Sequence, residues 1–593
     1  MMKRPRLLLL RISLTKDVKI MKKLLKYLKN YKKESILSPL FKMLEASFEL
    51  FVPLVVASMI DKGIGDGVIT AGDKSYILKC FFGLILLGLI GLISSCTAQY
   101  FAAKAATGFS TGLRHDLFKH LLSLSYKEID NVGTSTMITR MTSDVNTVQN
   151  GVNMFLRLFL RSPFIVAGAM VMAFTIDFKA ALVFVGVIAI LSLVVYLIMN
   201  FNIPMLKKVQ GALDNVLNLT RENLSGVRVI RAFVREDQEY ERFKNTNEDL
   251  TSLQIRAGRV SGLLNPLTYV IINIAIVILI KVGAIQVEKG ILTTGQVVAL
   301  YNYMSQILLE LIKFAGLIVT INKALASANR INEVFDIPVE EEGSSVNAVN
   351  SIEFKNVSLR YNEGADESLT DISFKISKGE TLGIIGGTGS GKTSVINLLS
   401  GFYEHTGGDI LINDKPVTNK ERIALRKNIG IVMQKAVLFS GTIRDNLKWG
   451  NEEATDEEIL KAAEMACAMD VINVKGGLDA EIEAGGKNLS GGQRQRLTIA
   501  RALVKKPQVL ILDDASSALD YVTDLQLRTN LKTLDYDPIV IIVSQRTSAV
   551  QSADRIVVLD DGNEAGYGDH KALLKECETY REIYETQFKK EAI

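Results

Sequence analysis

Apolar positions divide the chain in two. Up to about residue 320 long apolar runs recur, whereas beyond it apolar and polar residues alternate or recur at helical spacing, as in a soluble α/β domain. A helix that crosses a bilayer needs roughly 20 apolar residues. Six runs come close to or exceed that length: 35–59, 78–102, 159–176, 180–203, 263–286 and 296–320. The stretch LVFVGVIAILSLVVYLIMNFNI at 182–203 carries no charge at all. One such run could be a buried core helix; six in succession predict a membrane domain.

The links between the runs are unequal. Those after the first, third and fifth are short, such as TID around Asp177 and EKGILTT from Glu288. Those after the second and fourth, about 103–157 and 204–262, hold Lys104, Arg114, Lys119, Arg140, Lys207, Lys208, Arg221, Arg228, Arg231 and Arg235. The excess of Lys and Arg puts the long links and both termini on the cytoplasmic side of a multi-pass plasma-membrane protein. Rich in helix formers and poor in Pro and Gly, the long links are predicted to continue the spanning helices into the cytosol. Within 21–34, MKKLLKYLKNYKKE sets Leu24, Leu25, Leu28 and Tyr31 on one helical face among lysines, the pattern of a helix resting on the inner leaflet. Residues 1–20 read as an upstream start, with Met21 the more natural beginning.

Domain boundaries follow: a basic, amphipathic segment 1–34, a transmembrane domain 35–327, a linker 328–350 and a soluble domain 351–593. Composition supports the division. Across 593 residues, 48% hydrophobic and 22% charged residues coexist only because the apolar ones are concentrated in one part. Disordered and collagen-like classes are excluded, and a net charge of +5 gives no ground for nucleic-acid binding. Cys80, Cys96, Cys467 and Cys577 form no CxxC, and the four histidines no metal spacing. Within the spans, Glu45, Glu49, Gln306, Glu310 and Lys313 are candidates for a translocation cavity, because intramembrane charge rarely faces lipid.

In the soluble part, the strand TLGIIG runs into Gly386, Gly387, Thr388, Gly389, Ser390, Gly391, Lys392 and Thr393, followed by the helical SVINLLSGF. This is GxxxxGK[ST] between a strand and a helix. Its glycines let backbone N–H groups surround phosphate oxygens, and the helix N-terminus adds its dipole. Lys392 is expected on the β/γ-phosphates and the Thr393 hydroxyl on Mg²⁺. Downstream, VLILDD (509–514) is an apolar strand ending in two carboxylates, with Asp513 where a Mg²⁺-orienting carboxylate is needed. ATP and Mg²⁺ are therefore the expected cofactors.

Between these motifs, Leu489, Ser490, Gly491, Gly492 and Gln493 precede RQRLTIARALVKKP. This stretch resembles the signature of ABC transporters, and the resemblance extends over essentially the whole chain. GTSTMITRMTSDVNTVQ (133–149) and ENLSGVRVIRAFVREDQEYERF (222–243) look like exporter cytoplasmic loops. Six spans followed by one ATPase domain resemble bacterial half-transporters of the multidrug-exporter type. The resemblance implies a six-helix all-α transmembrane domain followed by an α/β P-loop ATPase domain. It implies that Tyr361 stacks on adenine and that Gln434 reaches Mg²⁺ and senses the membrane domain. Ser490, Gly491, Gly492 and Gln493 would face the nucleotide of another subunit, and Ser517–Asp520 would cross the dimer seam. The long loops are expected to reach the ATPase domain from around Tyr126–Gly133 and Gln210–Asn218, near Gln434.

Two positions depart from the family pattern. The general base after the acidic strand, ordinarily Glu, is Asp514, and the switch histidine is Gln545. Asp is one methylene shorter, and Gln cannot become cationic. With the signature intact, this combination resembles the degenerate-site subunit of a heterodimeric exporter. The expected partners are a second half-transporter, membrane lipid and a small-molecule or amphipathic substrate. The alternative is a homodimeric exporter of lipid or peptide with Asp514 as a working base. A soluble ABC ATPase is excluded by the six spans. An importer is disfavoured by the fused domains and long loops, and a silent ATP-binding membrane protein is left to single-turnover hydrolysis.

Overall fold

The computed structural model describes residues 23–64, 73–341, 343, 348–362 and 364–588. The upstream stretch 1–20 and Met21 lie outside them. The chain forms two compact units, one from residues up to 122 together with 134–337, the other from 123–133 together with 338 onward.

Among the described residues, the first unit is built of helices and their short connections. Six of its helices are long and apolar enough to cross a membrane: Leu25–Ile64, Lys74–Leu122, Thr134–Ile176, Phe178–Ser225, Glu236–Glu288 and Thr294–Phe335. The 49 residues of Lys74–Leu122, at about 1.5 Å each, extend about 70 Å, well beyond a hydrocarbon core of roughly 30 Å. Phe81, Phe82, Ile85, Leu86, Leu89, Leu92 and Ile93 lie exposed on this helix, an apolar face that lipid would cover. Pro39, Pro53 and Pro204 sit inside helices, as membrane helices tolerate.

Beyond the apolar runs, Phe178–Ser225 and Glu236–Gly262 pair along Val209, Val216, Leu250 and Ala257, a seven-residue spacing on both partners. Gln210–Asn218, expected to touch the ATPase domain, lies on the shaft of this hairpin rather than at its turn. The turn comes later, at Val227–Ala232, with Val229 exposed in it and Leu224, Phe233 and Val234 exposed beside it. The helix continues beyond its apolar run to Ser225, and the chain reverses only after it.

Part of the N-terminal face expected on the inner leaflet packs within the protein. Leu24 is buried, the Tyr27 ring meets Phe109 edge-on at 6.0 Å, and the Tyr27 hydroxyl donates to Asp116 at 2.9 Å. Tyr31 lies so close to Gly108 that a Cβ there would stand 2.0 Å from its ring. Tyr27 and Tyr31 pack on the long helix Lys74–Leu122, where Gly108 and Gly112 leave room for their rings, while Leu25 stays exposed.

Of the polar residues within spans, Glu310 is 3% exposed and accepts from Arg161 at 2.6 Å, Ser162 at 2.8 Å and Lys313 at 3.0 Å. Arg161 also donates to Glu49 at 2.6 Å, while Lys42 pairs with Glu45 at 2.5 Å. Arg161 thus ties three helices together at a site the sequence presents only as an arginine at the edge of an apolar run. Arg161→Leu leaves Glu310 with a serine and one partly exposed lysine. We expect a loss of about 3 kcal/mol, the lower end of the cost of breaking a buried ion pair, read as a lowered unfolding temperature in detergent.

The second unit is built on a ten-stranded sheet. Its parallel centre runs Ile429–Val432, Val509–Asp513, Ile539–Ser544, Thr381–Gly386 and Arg555–Asp560, every strand dense in Ile, Val or Leu. Such continuous apolar strands belong to a sheet covered on both faces. Asn563–Gly568 then turns antiparallel and borders Leu369–Ser377, followed by the antiparallel strands Ser351–Leu359 and Gly407–Ile412. Register pairs Val543 with Asp513 and Ser544 with Ile385, so the functional strand ends share one carboxyl edge, where open α/β sheets bind ligands.

Candidate functional site

The turn after Thr381–Gly386 is forced tight by its glycines. A Cβ on Gly386 would lie 2.2 Å from the Leu559 carbonyl oxygen, and Gly391 enters the helix Lys392–Leu399 at φ 94°. Ser390 is buried and donates to the Gly387 carbonyl at 2.9 Å. Lys392 Nζ folds back onto the carbonyls of Gly386, at 2.9 Å, and Gly387. Burial pulls the Lys392 ammonium below its ordinary pKa, opposed by Asp514 and Asp513.

A cleft of about 460 Å³ brings together Thr388, Gly389, Gly391, Lys392, Thr393, Gln434, Asp513, Asp514 and Gln545. Residues from four separated stretches of sequence therefore meet at one sheet edge. Asp513 is 5% exposed, and burial together with the Asp514 charge pushes its carboxyl up to about 6, with Lys392 opposing. Asp514 adopts φ 47°, a left-handed conformation that Asp accepts more readily than most residues. Its Oδ2 accepts from Gln434 Nε2 at 3.4 Å.

Tyr361 lines a separate cleft of about 840 Å³. Its hydroxyl donates to Ser394 Oγ at 3.0 Å and accepts from Asn397 Nδ2 at 3.0 Å, which fastens it to the helix behind the phosphate loop. Gln545 is held through its backbone: its carbonyl accepts from Gln587 Nε2 and Thr547 N–H donates to Gln587 Oε1, each at 2.8 Å.

Ser490, Gly491, Gly492 and Gln493 do not line the phosphate-loop cleft. Ser490 caps the helix Gly491–Val504 in a reciprocal box with Gln493, at 3.3 and 2.9 Å. Asp520 caps Tyr521–Leu531, accepting from Thr523 N–H at 2.9 Å, and leaves Tyr521 and Val522 exposed.

The short helix Tyr126–Val132 belongs to the same unit. Leu124 bridges to Val339, Glu340 N–H donates to the Ser123 carbonyl at 2.8 Å, and Arg426 grips the Glu340 carboxylate at 2.7 and 2.8 Å. Tyr126 stacks on Phe402 at 4.5 Å, and Tyr403 donates to the Asp130 carboxylate. Phe402 and Tyr403, rather than the neighbourhood of Gln434, receive this helix. Sequence reasoning passed over both, although two aromatics directly after the phosphate-loop helix were a visible signal.

Residues 35–311 match the ABC transporter transmembrane region and residues 369–517 the ABC transporter family. The chain is 34% identical over 577 residues to the uncharacterized ABC transporter ATP-binding protein YfiB of Bacillus subtilis, covering 96% of this chain and 99% of that one. It is 30% identical over 563 residues to the ATP-dependent lipid A-core flippase of Hahella chejuensis, covering 93% and 96%. A bacterial Atm1-family ABC exporter with ATP bound superposes with a TM-score of 0.81 at 23% identity, over 94% of this chain and 99% of that one, a likeness of fold.

Proposed function

Because the chain belongs to the ABC transporter family, as an exporter half-transporter whose ATPase is coupled to transport, we propose that it supplies the weakly hydrolysing site of a heterodimer. It would move an amphipathic substrate out across the cell membrane, with the ATPase domain and both termini in the cytoplasm. The observation that carries the reading is the content of one cleft. Lys392, Thr393 and Asp513 fit ATP binding, while Asp514 and Gln545 occupy the positions of base and switch. The signature at Ser490–Gln493 stands apart from that cleft and so needs a facing phosphate loop. Single-turnover ATP hydrolysis by the purified chain, alone and with a second half-transporter, tests it: hydrolysis at a full transporter rate by the chain alone overturns it.

Tyr361 is the adenine platform in this reading, and Lys392 meets the β/γ-phosphates. Thr393, Gln434 and Asp513 offer oxygen ligands only, and among the described residues no cluster of three or more His, Cys, Asp or Glu is ready to hold a metal. That set suits Mg²⁺ shared with phosphate oxygens. When bound, Mg²⁺ would neutralise charge on the phosphates. Gln434 donates to Asp514 and would orient its carboxylate toward the attacking water, which the shorter side chain does not fully reach.

The helix Tyr126–Val132 is the proposed force-bearing element of the coupling route. Cysteines replacing Tyr126 and Phe402 should be joined by a short bismaleimide, and the linked protein should lose transport. Transport at the unlinked rate after complete crosslinking would remove the helix from the coupling route. The likeness to a lipid flippase favours a second reading, a homodimeric lipid exporter, which the asymmetry experiment below separates from the first.

A further inference from the structure

The helix Tyr126–Val132 is fastened to the ATPase domain by two neighbouring aromatics with different surroundings. Phe402 stacks on Tyr126 and carries Arg426 above its ring at 5.1 Å. Tyr403 instead places its ring edge-to-face against Tyr361, centroids 4.7 Å apart at 85°, while its hydroxyl donates to Asp130. Burial and the Asp130 carboxylate hold the Tyr403 hydroxyl far above its ordinary pKa, so it remains a donor. Tyr361 is itself held at its hydroxyl by Ser394 and Asn397. A base arriving on Tyr361 therefore meets a ring whose far end is fixed and whose neighbour is Tyr403.

We propose that Tyr403 is a positioning residue that reports occupancy of Tyr361 to the helix Tyr126–Val132 through its hydrogen bond to Asp130. The inference rests on the reading of Tyr361 as the adenine platform. An adenine stacked on Tyr361 restricts that ring, and with it the Tyr403 ring packed against it. Tyr403 then loses less rotamer freedom by keeping its hydroxyl on Asp130, and the helix is held more tightly. By linkage, the bonded state binds ATP more tightly by the same factor.

Amide hydrogen exchange of the peptide spanning 124–133, in the full chain in nanodiscs, tests this with ATP in EDTA so that no turnover occurs. ATP should slow exchange about fivefold to tenfold, the effect of biasing one hydrogen bond to a charged group. In Tyr403→Phe, and independently in Asp130→Asn, the ratio of rates with and without ATP should fall to about one, with ATP affinity reduced by no more than the same factor. Phe402→Ala is the control: it should speed exchange with and without ATP alike and keep the ratio. A wild-type ratio retained in both Tyr403→Phe and Asp130→Asn overturns the proposal, as does the absence of any ATP effect in the wild type. Tyr361→Ala examines the premise separately, since unchanged ATP affinity in that variant removes the adenine platform itself.

Discussion

Lys392→Ala is expected to weaken ATP binding at this chain's own site by about tenfold to a hundredfold, the loss of one or two hydrogen bonds to a charged acceptor. In the structure Lys392 Nζ rests on the Gly386 and Gly387 carbonyls and lies 3.3 Å from Ser390 Oγ. It is held within the loop whose N–H groups would face phosphate oxygens. Burial already disfavours its charge, so a polyanion beside it gains an ammonium that is poorly satisfied by carbonyls alone. Alanine removes that cation and leaves Asp513 and Asp514 facing the phosphates uncompensated. Lys392→Arg keeps the charge but places a wide planar fork in a turn closed by glycines, and should recover only part of the affinity. Titration with a fluorescent ATP analogue reads both variants. Equal affinity for wild type and Lys392→Ala would remove the phosphate-loop assignment.

The parts legible in the sequence are those encoded locally. The phosphate loop needs its glycines within one turn, so GGTGSGKT declares itself, and charge-free apolar runs declare the spans. What escaped depends on partners distant in sequence. Arg161 looks like the edge of an apolar run until Glu49 and Glu310 are brought to it from helices more than a hundred residues away in either direction. The face of Leu24, Leu25, Leu28 and Tyr31 is amphipathic whether it meets lipid or protein, and the place that the glycines at 108 and 112 leave for the rings of Tyr31 and Tyr27 is set far along the chain. The turn at Val227–Ala232 comes later than Gln210–Asn218 because the helix Phe178–Ser225 runs on through Pro204 and Gly211 and ends only at Gly226. Gln587, which holds the backbone on both sides of Arg546, is an ordinary residue in an ordinary helix until that segment folds beside it.

Substitutions in this one chain should act lopsidedly on steady-state hydrolysis. In a head-to-tail pair, its phosphate loop, Asp514 and Gln545 face the partner's signature, while its own Ser490–Gln493 faces the partner's phosphate loop. A carboxylate held about an ångström short of the attacking water can cost ~10²-fold in rate, so in the proposed heterodimer the first site would turn over slowly and the second would carry the flux. Asp514→Asn should therefore lower steady-state ATPase of the pair by less than about twofold, because a site slowed ~10²-fold contributes little to the sum. Gly491→Asp should abolish most of it. Nothing lies within 4 Å of a Cβ built on Gly491, so the aspartate can be accommodated in this chain. Its charge instead enters the helix N-terminus that would meet the partner's γ-phosphate. Ser490→Ala should act in the same direction, with an additional cost of about 1 kcal/mol from losing the helix cap, so Gly491→Asp is the cleaner probe. The homodimer makes the opposite forecast for one variant: Asp514 would then serve both sites, and Asp514→Asn would stop hydrolysis outright. Steady-state ATPase of the two variants, measured in the complex purified from its native membrane, separates the two assemblies, and a dead Asp514→Asn enzyme would replace the heterodimer with a symmetric exporter.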